Sequence, residues 1–186
     1  MSVWKRIGSI LKSQSHKPEP APASLLHPLE ETGVGDIVTV DLEEYIVTGK
    51  VTYFDRGFAP HRFAYYLQSG RRIDCLIVEK GRAMDCYMCE FLEGSLDDPS
   101  DVPTTLVLDG ETTFELEWNR KDVTRTEGRT DFRSNDEVLI WRYYANQEKH
   151  FFLQWQDGKF VAMQGNRIPA AEVKRLQAAS PNAAKK

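Results

Sequence analysis

The sequence predicts an all-β protein, an antiparallel barrel or sandwich with a short helix at each end. Three observations indicate this class. From residue 33 onwards the chain consists of short runs rich in β-branched and aromatic residues, turn residues separate the runs, and helical periodicity is rare between them. Strands of this length and regularity are typical of small barrels and sandwiches.

Ten runs have the composition of strands. They cover residues 36–40, 45–54, 62–68, 73–79, 84–91, 104–108, 112–118, 137–144, 149–155 and 159–164. Alternation in the second run predicts that Val47 and Tyr53 lie on one face of the strand. In the seventh run it predicts that Phe114, Leu116 and Trp118 share a face.

Local signals mark the turns and a C-terminal helix. The pairs Ser69-Gly70, Asp109-Gly110 and Asp157-Gly158 can supply the positive φ of tight hairpin turns. Pro169 stands at a natural helix start, so we expect a short helix over residues 170–178.

The first 17 residues differ from the rest of the chain. They carry a charge of +4 and no acid, so the remaining residues carry −8. Apolar residues recur there at spacings of three and four, which predicts an amphipathic helix. The residues expected to contact a membrane surface or a partner are Val3, Trp4, Lys5, Arg6, Ile7, Ile10, Leu11 and Lys12.

The chain divides into four segments. A Pro/Ala-rich linker, residues 18–32, follows the basic helix of residues 1–17 and contains Pro18, Pro20 and Pro22, which favour an extended conformation. The β domain covers residues 33–178, and residues 179–186 form a small polar tail that we expect to be disordered. A weak internal echo, such as Tyr53 and His61 against Tyr143 and His150, suggests two similar β units over 33–93 and 103–170.

Several motifs resemble a known family. The segments 34–38 (VGDIV), 45–49 (YIVTG), 141–144 (WRYY) and 152–155 (FLQW) resemble the bacterial domain of unknown function family 4178 over roughly residues 33–175. The segment 76–80 (LIVEK) departs from the usual pattern. The resemblance implies a small bacterial protein without an assigned reaction, and its motifs are structural rather than catalytic.

Cysteines offer the first candidate for chemistry. Cys86 and Cys89 form a C-x-x-C, with Cys75 upstream, and His61 is the nearest imidazole in sequence for a zinc site. The alternative is packing, because residues three apart in a strand point to opposite faces. We expect packing, no bound metal and no cofactor.

His61 offers the second candidate, a general base oriented by Asp55. The surrounding loop lacks a recognisable nucleophile or phosphate-binding glycine loop, so we expect a surface hairpin and no catalytic residue.

Composition restricts the function classes further. No apolar run approaches the roughly 20 residues that span a bilayer, and three cysteines fit a reducing cytoplasm better than a secreted disulfide scaffold. A body at −8 offers no general attraction for phosphate, which argues against nucleic acid.

These observations predict a cytoplasmic, non-catalytic binding or adaptor domain. Its N-terminal helix would contact a protein partner or an anionic membrane, peripherally at the inner face, and a homo-oligomer is compatible with the sequence. Two alternatives stay open for this segment: docking on the chain's own β body, and disorder. The alternative is an enzyme with a cleft site between two β units that uses His61 or the cysteines.

Overall fold

Eight antiparallel strands close into a barrel, and three shorter strands extend its sheet. The computed structural model describes residues 28–55, 59–94, 96–146 and 148–176. The strands are β1 (Ile37–Val40), β2 (Glu43–Phe54), β3 (Pro60–Ser69), β4 (Arg72–Lys80), β5 (Met84–Leu92), β6 (Thr105–Leu108), β7 (Thr112–Gly128), β8 (Glu137–Tyr144), β9 (Lys149–Gln156), β10 (Lys159–Ile168) and β11 (Val173–Leu176). Short 3₁₀ turns lie at Pro99–Asp101 and Ala170–Glu172.

Two meanders of five strands each contribute four strands to the barrel. The sheet order is β11-β1-β2-β3-β4-β5-β10-β9-β8-β7-β6, and pairing of β2 with β7 closes the ring. The strands β1–β5 and β6–β10 therefore follow the same path, and they meet at the β5–β10 and β2–β7 seams. The echo in the sequence compares β2–β3 with β8–β9, whereas the topology matches β2–β3 with β7–β8. A duplication of the chain stays a prediction.

A register shift in β2 and another in β7 change the faces that alternation predicts. The shift between Val47 and Gly49 leaves Val47 outside the barrel and turns Tyr53 inside. The shift between Leu116 and Trp118 likewise leaves Leu116 outside and turns Trp118 inside. The predicted common faces are wrong at both points, because an extra residue in a strand reverses its alternation.

Apolar side chains fill the barrel and cover its wall on two sides. The inner cluster includes Val51, Tyr53, Tyr66, Ile77, Tyr87, Ile140, Phe152 and Met163. The first outer cluster lies under β1, β11 and the segment before β1, and it includes Leu29, Val38, Tyr65, Leu76 and Val173. The second outer cluster lies under β6 and the segment after β5, and it includes Leu96, Leu106, Phe114, Tyr143, Phe151 and Leu153.

The connection between β7 and β8 closes one end of the barrel. Phe132 from this connection packs in the inner cluster. The Tyr66 hydroxyl, from β3, donates a hydrogen bond to Asp131 at 3.2 Å and holds the connection in place. We call the opposite end, where β3 begins and β8 ends, the mouth.

All ten predicted strands exist, and the all-β antiparallel class is confirmed. Asp109, Gly110, Asp157 and Gly158 have the positive φ predicted for tight turns. The helix predicted over 170–178 is wrong for its described part, because Ala170–Glu172 form a 3₁₀ turn and Val173–Leu176 pair with β1. Val173 is buried in the first outer cluster, and pairing satisfies the open edge of β1.

Two further points concern helices. The predicted N-terminal helix lies outside the described residues. Within the described residues, no helix is long and apolar enough to span a membrane.

Gly49 provides a test of the closed barrel. A Cβ added at Gly49 would lie 1.9 Å from the backbone oxygen of Arg129, so we expect Gly49→Ala to lower the free energy of unfolding by roughly 1–3 kcal/mol or more. Gly33→Ala is the control, because a Cβ there has no atom within 4 Å. Urea unfolding of both variants measures the difference. Equal stability would contradict the close approach at the β2–β7 seam.

Candidate functional site

Arg62 is a fully buried cation inside the barrel. The Arg62 guanidinium lies 5.2 Å from the Tyr53 ring centre and 5.1 Å from that of Phe152, and its Nε is 3.6 Å from a Glu79 carboxylate oxygen. Its three nitrogens have no hydrogen-bond partner within the described residues. Aromatic faces and one ion pair therefore compensate its lost hydration.

Arg142 connects this cation to the other meander. Its Nη1 donates to Glu79 and, at 3.2 Å, to the Tyr87 hydroxyl, while Nε and Nη2 donate to Glu117 at 2.6 and 2.9 Å. Burial lowers the pKa of Arg142, but the hydrogen bonds to Glu117 and the charge of Glu79 outweigh it, so the pKa is raised. Glu79 is shared between two guanidiniums, one from each meander.

Trp118 lies at the centre of three arginines. The guanidinium carbons of Arg120, Arg142 and Arg62 lie 4.6, 5.3 and 6.0 Å from its ring centre. The register shift in β7 produces this arrangement, since it turns Trp118 inwards. The arrangement is cation–π packing of a kind that stabilises buried arginines.

Both ring nitrogens of His61 face charged side chains, and Nδ1 is the one within a hydrogen bond. Its Nδ1 lies 2.9 Å from Arg120 Nη2, and its Nε2 lies 3.1 Å from Asp122 Oδ2. Since Arg120 can only donate, Nδ1 accepts and Nε2 carries the proton that faces the buried Asp122 carboxylate. Neither nitrogen is available as a general base in this arrangement. His61 does lie at the seam between the two meanders, as the enzyme alternative requires.

A cavity of about 450 Å³ opens at the mouth. Tyr87, His150, Arg142 and Arg167 contribute to its lining. The charges there are already paired, since Arg167 contacts Asp85 and Arg142 contacts Glu117. The mouth therefore presents paired charges rather than one strong charge to a ligand.

The cysteines are packed thiols. Cys75 in β4 and Cys89 in β5 are register partners, and both free thiols lie in the inner cluster. Cys86 lies in the first outer cluster, so Cys86 and Cys89 point to opposite faces. Burial raises the pKa of Cys75 to about 12, that of Cys86 to about 11, and that of Cys89 as well. These thiols remain protonated near neutrality, which disfavours thiolate chemistry. No group of three metal-ligating side chains comes together within the described residues, and the absence of metal stays a prediction.

An apolar crevice on the second outer cluster was not predicted. It has a volume of about 190 Å³. Its lining includes Leu92, Leu96, Leu106, Leu108, Phe151 and Phe160.

Five of the residues that line the crevice, from Glu93 to Leu108, belong to an acidic stretch of the sequence. Residues 93–117 contain no Lys, Arg or His. Their acids are Glu93, Asp97, Asp98, Asp101, Asp109, Glu111, Glu115 and Glu117. In the described part of the chain, only Glu117 among them has a salt bridge. We call this surface the acidic crevice. The run of acids was visible in the sequence, but the leucines come together only when β6 folds over β9 and β10.

The predicted contact residues of the N-terminal segment, from Val3 to Lys12, lie outside the described residues. Sequence reasoning also missed Arg62, Glu79 and Arg142. The only signal in the sequence was a charged residue at an inward position of an otherwise apolar strand, Arg62 in β3.

The chain is a small antiparallel barrel domain. Its sheet is closed, its interior is packed, and an apolar cluster covers the outside of the barrel on each of two sides. The family described as Domain of unknown function (DUF4178) matches residues 33–170, and the chain belongs to this family. No curated protein and no solved structure matches the chain.

Glu79→Gln tests the buried ion pairs. Removing this charge leaves the buried Arg62 cation uncompensated, so we expect a loss of roughly 3–5 kcal/mol in the free energy of unfolding. Asp85→Asn breaks the more exposed pair with Arg167, and we expect at most about 1 kcal/mol. Chemical unfolding of both variants gives the comparison. A similar small loss in both would show that Arg62 does not depend on Glu79.

Cys75 gives a test by pH. Its pKa is raised from 9.0 to about 12, so the unfolded chain releases this proton at lower pH than the folded chain. The contribution to stability is complete below about pH 9 and is lost as pH rises towards 12. We expect Cys75→Ala to show a shallower decline of unfolding free energy than the unchanged chain between about pH 9 and 11. Parallel declines would contradict the buried, protonated thiol.

Proposed function

We propose that this protein is a non-catalytic adaptor whose acidic crevice binds a basic, amphipathic segment of a protein. The single observation that carries the proposal is the coincidence of an open leucine-lined crevice with eight acids and no basic residue in residues 93–117. Apolar anchors with charge complementarity around them are the usual elements of peptide recognition.

The size of the crevice favours a side chain over a cofactor. Its volume of about 190 Å³ lies below the roughly 300–1,000 Å³ of small-molecule pockets. Glu93 lines the crevice, and the other exposed acids of residues 97–115 belong to the chain segment that forms one side of it. These carboxylates attract a basic partner through an electrostatic interaction that salt weakens. A partner segment with one or two large apolar residues among lysines fits both features.

The mouth supports binding over catalysis. His61 Nδ1 lies within hydrogen-bond distance of Arg120, its buried Nε2 faces the Asp122 carboxylate, and the charged groups around Trp118 form pairs with one another. The raised pKa values of the thiols disfavour a cysteine nucleophile. An enzyme that uses His61 or a cysteine would first need to break these interactions.

The basic N-terminal segment supplies the second contact of the adaptor. Residues 1–17 carry +4 and the apolar residues Trp4, Ile7 and Leu11 at helical spacing. This composition suits an anionic membrane surface or an acidic protein surface.

A peptide titration tests the crevice. The probe is a short, fluorescent synthetic peptide with lysines on one helical face and leucines with one tryptophan on the other. We expect the full chain to bind it, and Leu108→Gln in the crevice to weaken binding about tenfold or more, since buried apolar anchors commonly contribute over 1 kcal/mol.

Val107→Gln is the matched control, because Val107 lies on the same strand with 59% of its surface exposed and does not line the crevice. A second control is the same peptide with glutamates in place of lysines, which should not bind. Equal affinity of the Leu108 and Val107 variants would rule out the acidic crevice as the binding surface.

A further inference from the structure

We propose that the acidic crevice is covered within the same molecule by residues 2–12 of the chain. This inference rests on the proposed function, because it names the segment that occupies that surface. It assigns the crevice a regulatory role: a partner segment must displace the chain's own basic segment in order to bind.

Charge complementarity is the first argument. The segment 1–17 is the part of the sequence that combines four basic residues, no acid and a regular apolar stripe. The crevice is lined by leucines and Glu93, and five of its lining residues belong to residues 93–117, which contain eight acids and no basic residue. Within the described residues, the acids from Glu93 to Glu115 have no salt-bridge partner of their own. The two surfaces match in both charge and apolarity.

The length of the chain before the barrel is the second argument. Leu29 is fixed on the outer face of β3, where its backbone oxygen accepts a hydrogen bond from the Tyr65 hydroxyl. The crevice lies on β9 and β10, three or four strands away around the wall, which is roughly 15–20 Å at about 4.8 Å per strand. Residues 13–27 include Pro18, Pro20 and Pro22, and at about 3.1 Å per residue they reach roughly 45 Å. Residues 13–27 are therefore long enough for residues 2–12 to reach the acidic crevice.

Tethering makes even a weak contact effective. A short linker gives a local concentration on the order of millimolar. A contact with a dissociation constant of about 0.1 mM would then be occupied roughly 90% of the time. A competing segment would bind the full chain about tenfold more weakly than a chain whose own segment is disabled.

The first measurement uses the same lysine-rich peptide on two full-length variants. Trp4→Gln removes the largest apolar residue of the segment without adding charge, and we expect it to raise peptide affinity about tenfold. Ser13→Gln lies outside the apolar stripe and serves as the matched control, with unchanged affinity. Adding Leu108→Gln to Trp4→Gln should abolish the gain.

The second measurement locates the segment directly. A nitroxide on Ser9→Cys should broaden the backbone amide signals of residues 92–108 and 151–162, and Trp4→Gln should restore them. The native thiols are buried, with raised pKa values, and react slowly with the label near neutral pH. A mixture of labelled and isotope-enriched copies separates contact within one molecule from contact between two.

The outcomes separate the two proposals. Peptide binding at the crevice with equal affinity for Trp4→Gln and the unchanged chain overturns the cover and leaves the adaptor proposal intact. Absence of peptide binding in both chains, with no broadening at the crevice, overturns both proposals. Broadening only in the mixed sample assigns the segment to a second copy and overturns the cover. Sedimentation with anionic vesicles, without any broadening at the crevice in their absence, assigns it to a membrane and overturns the cover equally.

Discussion

The architecture depends on a positive charge held inside a barrel. Arg62 has no exposed surface, and its guanidinium is compensated by the Tyr53 and Phe152 rings and by Glu79. Glu79 also binds Arg142, which comes from the opposite meander. A buried charge that loses its partner is strongly destabilising, so the two halves must close around this group together. The interior thereby couples the closure of the barrel to one specific register of its strands.

Two irregular positions allow the strands to serve both the interior and the outer layers. The first part of β2 pairs with β1, and the first part of β7 pairs with β6. Side chains in these first parts pack in the outer clusters, whereas side chains in the later parts line the barrel. A shift of one residue at Thr48 and another at Glu117 makes this change of face possible. The shift at Glu117 places Trp118 among three arginines. The corresponding strands β2 and β7 therefore each change face through one extra residue.

The distribution of charge separates structure from interaction. At the mouth, acids and arginines neutralise one another in pairs and fix the interior. On the second outer face, Glu93 lines the leucine crevice, and it belongs to residues 93–117, a stretch of sequence with eight acids and no basic residue. Within the described residues, the acids from Glu93 to Glu115 have no salt bridge, and this is the surface to which the proposed function assigns a complementary partner. Because salt screens exposed charge far more than buried charge, salt affects these acids more than the buried pair of Arg62 and Glu79.

The sequence by itself determined the ten strands from Ile37 to Gln164 and the tight turns at Asp109-Gly110 and Asp157-Gly158, because alternation and positive φ are local properties. Only the tertiary structure decided the register shifts, the continuation of β7 to Gly128 and the strand β11 in place of a helix. It also decided the burial of Arg62 and the crevice of leucines. These features depend on residues far apart in the chain, as with Glu79 and Arg142, which are 63 positions apart, and such contacts form only when the barrel closes.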